Sequence, residues 1–561
     1  MSERSGILRR FLLATTPRHP EKAEVPMRIL KKCTFATVAA VALAACSPAP
    51  AQQPGGAKEP GYLSVADSSV AGGGTLDLQI PVDSGAASGL DPQLADVAVS
   101  WQLMSLSYDT LVTVGPDFAI EPALAESWDT PDPTTYVFHL RDGVTFSNGR
   151  AMAADDVVGS LRRLVAGQGV WRAQIGPVAD VTAVDAQTVQ VTLSAPYSPF
   201  LAALANTPAA VLPMKEVEDG SVDLTKTMLG TGPFVVSEHR QDVSWTFEKR
   251  DDYWAEDKPA VETVNITIAP QEQARIAALQ NGSADLVALG NVDAPELLAG
   301  VRGASVGTQS TTDFYYLMLN SNAPGGKFAD QRVRTAVNMA MRRDAIAETA
   351  LNGLGKPTGV TPAGLPDSCD PAALPSAKAT LDQARALLRE AGAENLSFTL
   401  SVFSTEPAPA IAQVIQQQLA QIGVDVRIEQ LDEGSWAGKV YGSAPATFDA
   451  AMSWFAGYAS AGMAAQWWNP EKAVFNLGFM KPNPALNQTI ETAIATEVGP
   501  SRAGALQDLC TAVDEDAQMI PLVTRPALVG YRTDAVSPTL YASEGYGNLL
   551  RGIADYRMIA K

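Results

Sequence analysis

The chain has 561 residues but only three histidines: His19, His139 and His239. No HExxH, CxxC or EF-hand spacing occurs, so nothing patterns as a zinc or calcium site. One GxSxG match exists, Gly303-Ala304-Ser305-Val306-Gly307. A nucleophile elbow needs a following helix and a later histidine; here TQSTTDFYYLMLN reads as another strand, and no histidine follows Ser305. Gly230-Thr231-Gly232 lacks the third glycine of a dinucleotide fingerprint and the lysine of a phosphate loop. It reads as a turn whose geometry Pro233 sets. The chain is therefore not expected to be an enzyme, and neither a cofactor nor a metal is expected.

Positive charge is also scarce, with 41 Lys and Arg against 61 Asp and Glu, a net −20. Such a chain is repelled by nucleic acid and by anionic headgroups, and the acidity is read as serving solubility. No internal repeat and no heptad run is visible. At this length two to four domains are expected, and the 46% hydrophobic content suits a chain with a sizeable core.

The uncharged run 33–45 falls short of the roughly 20 apolar residues that a spanning helix needs. It is preceded by Arg28, Lys31 and Lys32 and ends in Leu43-Ala44-Ala45-Cys46. A positive start, a short apolar middle and a small-residue end make an export signal. The ending resembles a bacterial lipobox, which implies cleavage before Cys46 and lipidation of its thiol. Residues 1–46 are then a lipoprotein signal, with Met27 expected as the true start, and the retained chain works outside the plasma membrane, anchored through Cys46. Residues 1–46 hold eight basic and three acidic residues, so 33 basic and 58 acidic ones remain. Of the four cysteines, only Cys369 and Cys510 are then left, an even pair in an oxidising compartment. They are read as a disulfide or as two separate buried thiols. Residues 47–74, rich in Pro, Gly, Ser and Ala, read as a flexible tether. As a coil it would reach about 30 Å.

The folded part begins at Thr75. TLDLQI alternates with period two, as a half-buried strand does. So does YVFHL at 136–140, after which Asp142-Gly143 signals a hairpin. Asp155 and Asp156 open a helix with Val157, Val158, Leu161, Leu164 and Val165 on its apolar face. His139 lies opposite Tyr136 and Phe138 and is expected to face solvent. Residues 396–431 read as strand, helix, strand: Ile411, Val414, Ile415, Leu419 and Ile422 share a helical face that Gly423 ends. Such a unit places its two strands parallel in one sheet, and parallel sheets bind ligands at the carboxyl ends of their strands.

Several stretches together resemble the extracytoplasmic solute-binding proteins of peptide/nickel-type ABC importers, bacterial solute-binding protein family 5. They are EPALAESWDTPDPTTYVFHLRDGVTFSNGRAMAADDVVGSLRR at 121–163, GTGPF at 230–234 with Asp252-Tyr253-Trp254, ARIAALQNGSADLV at 274–287 and LMLNSNAPGGKFADQRVRTAVNMAMRRDAI at 317–346. The resemblance runs over roughly 75–561. It implies an α/β, two-lobed periplasmic-binding-protein fold, type II-like, with an extra third α/β domain. Lobe I would comprise 75–109, 229–308 and 526–561, the extra domain 110–228, and lobe III 309–525. Trp128, Tyr136, Phe138 and Arg141 are read as core and turn residues.

The resemblance also implies capture of peptides or peptide-like solutes, hinge closure over them, and delivery by a monomer to ABC permease subunits in the membrane. Relatives that bind peptides hold the α-ammonium with the carboxylate of a Trp-x-x-Asp segment. Here Trp454 matches the tryptophan, but Gly457 stands where that acid would be. The surrounding 452–470 offers Phe455, Tyr458, Trp467 and Trp468 instead, with Trp454 and Tyr458 the first candidates. Such a surface suits stacking on apolar or sugar faces. An oligosaccharide or glycoside ligand, or a sensor role, is the alternative.

Overall fold

The computed structural model describes residues 62–559, apart from residues 71, 257–258, 310, 324, 456, 474–477 and 542–548. The signal, Cys46 and most of the tether lie outside the described residues.

Among the described residues, three sheets of four or more strands organise the fold. One has seven strands in the order Ala304–Gln309, Ala527–Arg532, Leu286–Leu289, Thr75–Ile80, Thr263–Ile268, Ser244–Lys249, Phe234–Arg240. Thr75–Ile80 lies at its centre, parallel to both neighbours. Its alternation buries Leu76, Leu78 and Ile80 in the core, because successive side chains of a strand point to opposite faces. The GxSxG match runs from the turn at Gly303 into Ala304–Gln309, an edge strand and not a strand-to-helix elbow.

A second sheet, of four antiparallel strands, runs Ala125–Asp132, Thr135–Leu140, Thr188–Leu193, Val178–Ala183. Tyr136 and Phe138 are buried, while His139 faces out and bonds Asp129 at 2.9 Å. The Arg141 guanidinium donates to the Ala123 carbonyl at 3.0 Å and lies over the Trp254 ring. The helix Ala154–Ala166 covers this sheet with Val157, Val158, Leu161 and Leu164. The hairpin expected at Asp142-Gly143 does not form. Gly143 turns the chain with φ 74°, but Thr135–Leu140 pairs with Ala125–Asp132 and Thr188–Leu193, not with the residues after the turn. Both edges of that strand are filled by other strands, and the isolated bridge that follows, Thr145 to Ala151, closes a separate turn over 146–150.

The third sheet runs Asp425–Leu431, Ser397–Phe403, Ala450–Phe455, Phe314–Leu319, Met519–Thr524. Ser397–Phe403, the helix Ala408–Ala420 and Asp425–Leu431 form the strand–helix–strand unit, with parallel pairing. The helix buries Ile411, Val414, Ile415 and Leu419. Phe314–Leu319, an interior strand, is buried along its whole length, as a strand covered on both faces must be. Cys369 and Cys510 are joined by a disulfide in the hydrophobic cluster beside this sheet, across 141 residues of chain.

The tether reading does not hold for its last residues. Tyr62–Ser64 pairs with Leu540–Tyr541. The Ser64 hydroxyl donates to the Pro538 carbonyl at 3.0 Å, and the amides of Ala66 and Asp67 donate to the hydroxyls of Thr539 and Ser537. These bonds satisfy backbone groups that a free coil would leave to water, so the chain is fixed to the body well before Thr75.

Candidate functional site

Two parallel strands of the third sheet, Ser397–Phe403 and Ala450–Phe455, end at one cavity of about 900 Å³. Phe403, Trp454 and Phe455 reach it from the strand ends, and Trp436 and Tyr441 from the helix Glu433–Tyr441. Its opposite wall comes from residues 96–101, 170–177 and 195–197. Segments far apart in sequence, some on the four-stranded side and some on the five-stranded side, thus face each other across it.

The cavity is built mainly of aromatic rings, and five of the chain's nine tryptophans line it: Trp101, Trp171, Trp436, Trp454 and Trp467. The rings brace one another edge to face. Trp101 meets Trp171 with centroids 5.2 Å apart, Trp171 meets Tyr458 at 5.6 Å, and Phe455 meets Trp467 at 4.7 Å and Tyr458 at 5.1 Å. Interlocked rings of this kind lose little entropy on binding and present flat apolar faces. Trp171 is held from behind, its indole N–H donating to the Ala203 carbonyl at 3.2 Å. One face of Trp454 carries the Arg525 guanidinium, 4.4 Å from the ring centroid. Charge on the cavity lining comes from Asp96 on one wall and from Glu433 and the Lys472–Glu491 pair, 2.8 Å apart, elsewhere.

A second cavity, of about 280 Å³, adjoins the first; Ala98, Trp101, Trp171 and Tyr458 line both. Tyr458 stands at the junction. Burial pushes its hydroxyl pKa up, and that hydroxyl makes no hydrogen bond among the described residues. Gly457 lines the smaller cavity, its amide donating to Asp313 Oδ1 at 2.9 Å. Asp313 in turn is paired with Arg525 at 3.4 Å.

Of the residues expected from the sequence, Trp454, Phe455, Tyr458 and Trp467 come together on the larger cavity, and Gly457 and Tyr458 on the smaller. Trp468 does not join them. It is 1% exposed, stacks on Phe314 with centroids 6.0 Å apart, and donates its N–H to the Val360 carbonyl at 3.2 Å. It is a core residue, because the turn that carries Trp467 toward the cavity points its neighbour into the sheet.

Sequence reasoning missed Trp101, Trp171, Trp436 and Asp109. The tryptophans sit in short helices and turns with no pattern of their own; the one available signal was the tryptophan count. Asp109 lines the smaller cavity and gathers two segments singled out in the sequence. Thr231 of GTGPF donates to its Oδ2 at 3.1 Å, the Trp254 indole to the same oxygen at 2.7 Å, and Tyr253 to Oδ1 at 3.3 Å. Burial pushes its carboxyl pKa up, and the three donors only partly offset that. Among the described residues no group of His, Cys, Asp and Glu is arranged to hold a metal ion.

Residues 119–476 match the family model described as bacterial extracellular solute-binding proteins, family 5 middle. The chain is 28% identical over 457 residues to the glutathione-binding protein GsiB of Salmonella typhimurium, covering 77% of this chain and 86% of the relative. It is 27% identical over 444 residues to the nickel-binding periplasmic protein of Escherichia coli, covering 74% and 83%. The fold is similar to that of the periplasmic binding protein DppA from Helicobacter pylori, solved with the peptide STSA. That match has a TM-score of 0.73 and 23% identity, covering 87% of this chain and 99% of that one.

Proposed function

Since the chain belongs to the bacterial extracellular solute-binding proteins of family 5, we propose that it captures peptides or peptide-like solutes outside the plasma membrane and hands them to the permease of an ABC importer. The observation that carries this reading is the aromatic cavity of about 900 Å³ between segments of separate sheets. A cleft of that size takes a small organic solute or a short peptide. Its rings supply apolar contact, and Gln174, Ser453 and Asn469 on its wall supply polar contact. Capture needs no bond made or broken. A solute touching both walls binds the closed arrangement more tightly than the open one and shifts the population toward it.

The relatives support the solute class only broadly: one is named for glutathione, one for nickel, and one was solved with a peptide. A sugar-bearing solute is the second reading. It is favoured by Gly457, which puts no carboxylate where peptide-binding relatives hold an ammonium, and by ring faces on which a sugar can stack. Native mass spectrometry of the chain purified from its own envelope separates the two. A co-purified peptide or amino-acid conjugate is expected, and a glycoside would replace the first reading with the second.

We further propose that the chain acts as a monomer anchored by lipid on Cys46. The support is the lipobox-like Leu43-Ala44-Ala45-Cys46. Fractionation tests it: the wild-type chain is expected with the membranes and Cys46→Ser in the soluble fraction. Equal release of both would end the anchoring reading.

A further inference from the structure

Asp109 holds a carboxylate in a setting that the protein itself does not balance. Its Oδ2 accepts two hydrogen bonds, at 2.7 and 3.1 Å, but its Oδ1 accepts only the long one from Tyr253 at 3.3 Å. All three donors are neutral, and among the described residues no cationic side chain forms an ion pair with it; Arg250 acts only at longer range. A structural role in tying Thr231 and Trp254 together accounts for Oδ2 and leaves Oδ1 over. A carboxylate withdrawn from water without a cation is costly, and a charged donor relieves that cost. Asp109 lines the smaller cavity, whose other walls include Trp101, Tyr253 and Tyr458. Aromatic rings around a carboxylate suit an ammonium, which gains from ring faces as well as from the anion.

We propose that Oδ1 of Asp109 accepts from a cationic nitrogen of the captured solute, a primary ammonium, whose apolar body lies in the larger cavity past the Trp101–Tyr458 rim. The proposal rests on the aromatic cavity being the solute site. It places the charge recognition on a different element from the Trp454–Gly457 segment, at the turn between the helix Ala98–Met104 and the strand Val112–Val114.

Calorimetric titration of the full chain with phenethylamine and with 2-phenylethanol tests this, because the two differ in charge but hardly in shape. The amine is expected to bind the wild type about tenfold or more tighter than the alcohol. Asp109→Asn should bring the two within about twofold while leaving the alcohol unchanged. Should Asp109→Asn fail to fold, a crystal structure of the wild type with phenethylamine decides, with the nitrogen expected within hydrogen-bond distance of Oδ1. An alcohol that binds as well as the amine, or a nitrogen placed elsewhere, overturns the role of Asp109 and leaves the cavity reading standing. Failure of both probes to bind overturns the cavity reading and this proposal with it.

Discussion

Gly457 is pressed against Thr312: a Cβ at position 457 would overlap both the hydroxyl and the main-chain carbonyl of Thr312. The contact is fixed from the other side by the Gly457 amide, bonded to Asp313 at 2.9 Å. Glycine at this position is therefore not interchangeable with a residue that carries a side chain. The backbone of the neighbouring segment occupies the space in which a side chain would start.

Gly457→Ala is expected to lower stability by about 1–3 kcal/mol or more, the usual cost of overpacking, and Gly457→Asp by at least as much. Thr312→Ser should not rescue either variant, because the carbonyl of residue 312 remains in the way. Urea unfolding measures both. An alanine variant as stable as the wild type would show that the Thr312 segment yields easily.

Trp454→Ala and Trp436→Ala are each expected to weaken binding of the co-purified solute by about tenfold or more, since buried aromatic anchors dominate binding energy. Trp468→Phe should leave affinity within about twofold and instead destabilise the fold by roughly 1 kcal/mol or more, because a core ring and its bond to Val360 are changed. Titration calorimetry beside thermal melts separates the two effects. A Trp468 variant with full stability and weakened binding would return that residue to the site.

The Cys369–Cys510 link closes a loop of 141 residues. On the chain-entropy model, removing it through Cys369→Ser with Cys510→Ser costs up to about 4–5 kcal/mol. Peptide mapping without reductant should recover the two segments linked. Free thiols on both cysteines would show that the bond is not made in the isolated chain.

Asp83 predicts an acid dependence. Burial pushes its carboxyl up. Bonds from His239, the Trp245 indole at 2.6 Å and the amides of Asp242 and Ser84 outweigh burial and hold it below the ordinary carboxylate range. A depressed folded pKa means that the unfolded chain binds the proton more readily, so the stabilisation is complete above the unfolded value of about 3.9. It is lost as pH falls through the folded one. The stability gap between wild type and Asp83→Asn should thus be widest near neutrality and shrink below about pH 4. A gap independent of pH would assign the effect to packing alone.

Local periodicity carried the fold a long way. The alternation of Thr75–Ile80 and the strand–helix–strand order of 396–431 depend on which side chains share a face, and spacing along the chain decides that. Trp454, Phe455, Tyr458 and Trp467 were legible through the family resemblance instead, which marks one short segment, and that segment reaches the larger cavity. The Asp142-Gly143 signal failed because a turn says where the chain bends but not which strand takes the vacant edge. Trp468 failed because adjacent residues on a turn can point to opposite sides of a sheet.

The sequence alone carried the resemblance to the family, in stretches spread over 75–561, and it determined the α/β character and the aromatic nature of 452–470, which reside in near-neighbour spacing and composition. Only the tertiary structure decided that Trp101 and Trp171 complete the cavity wall, that Thr312 fills the space beside Gly457, and that Thr231, Tyr253 and Trp254 converge on Asp109. Each of these joins residues from segments far apart in the chain. Their meeting is set by how the sheets and the loops between them pack, which no local pattern records.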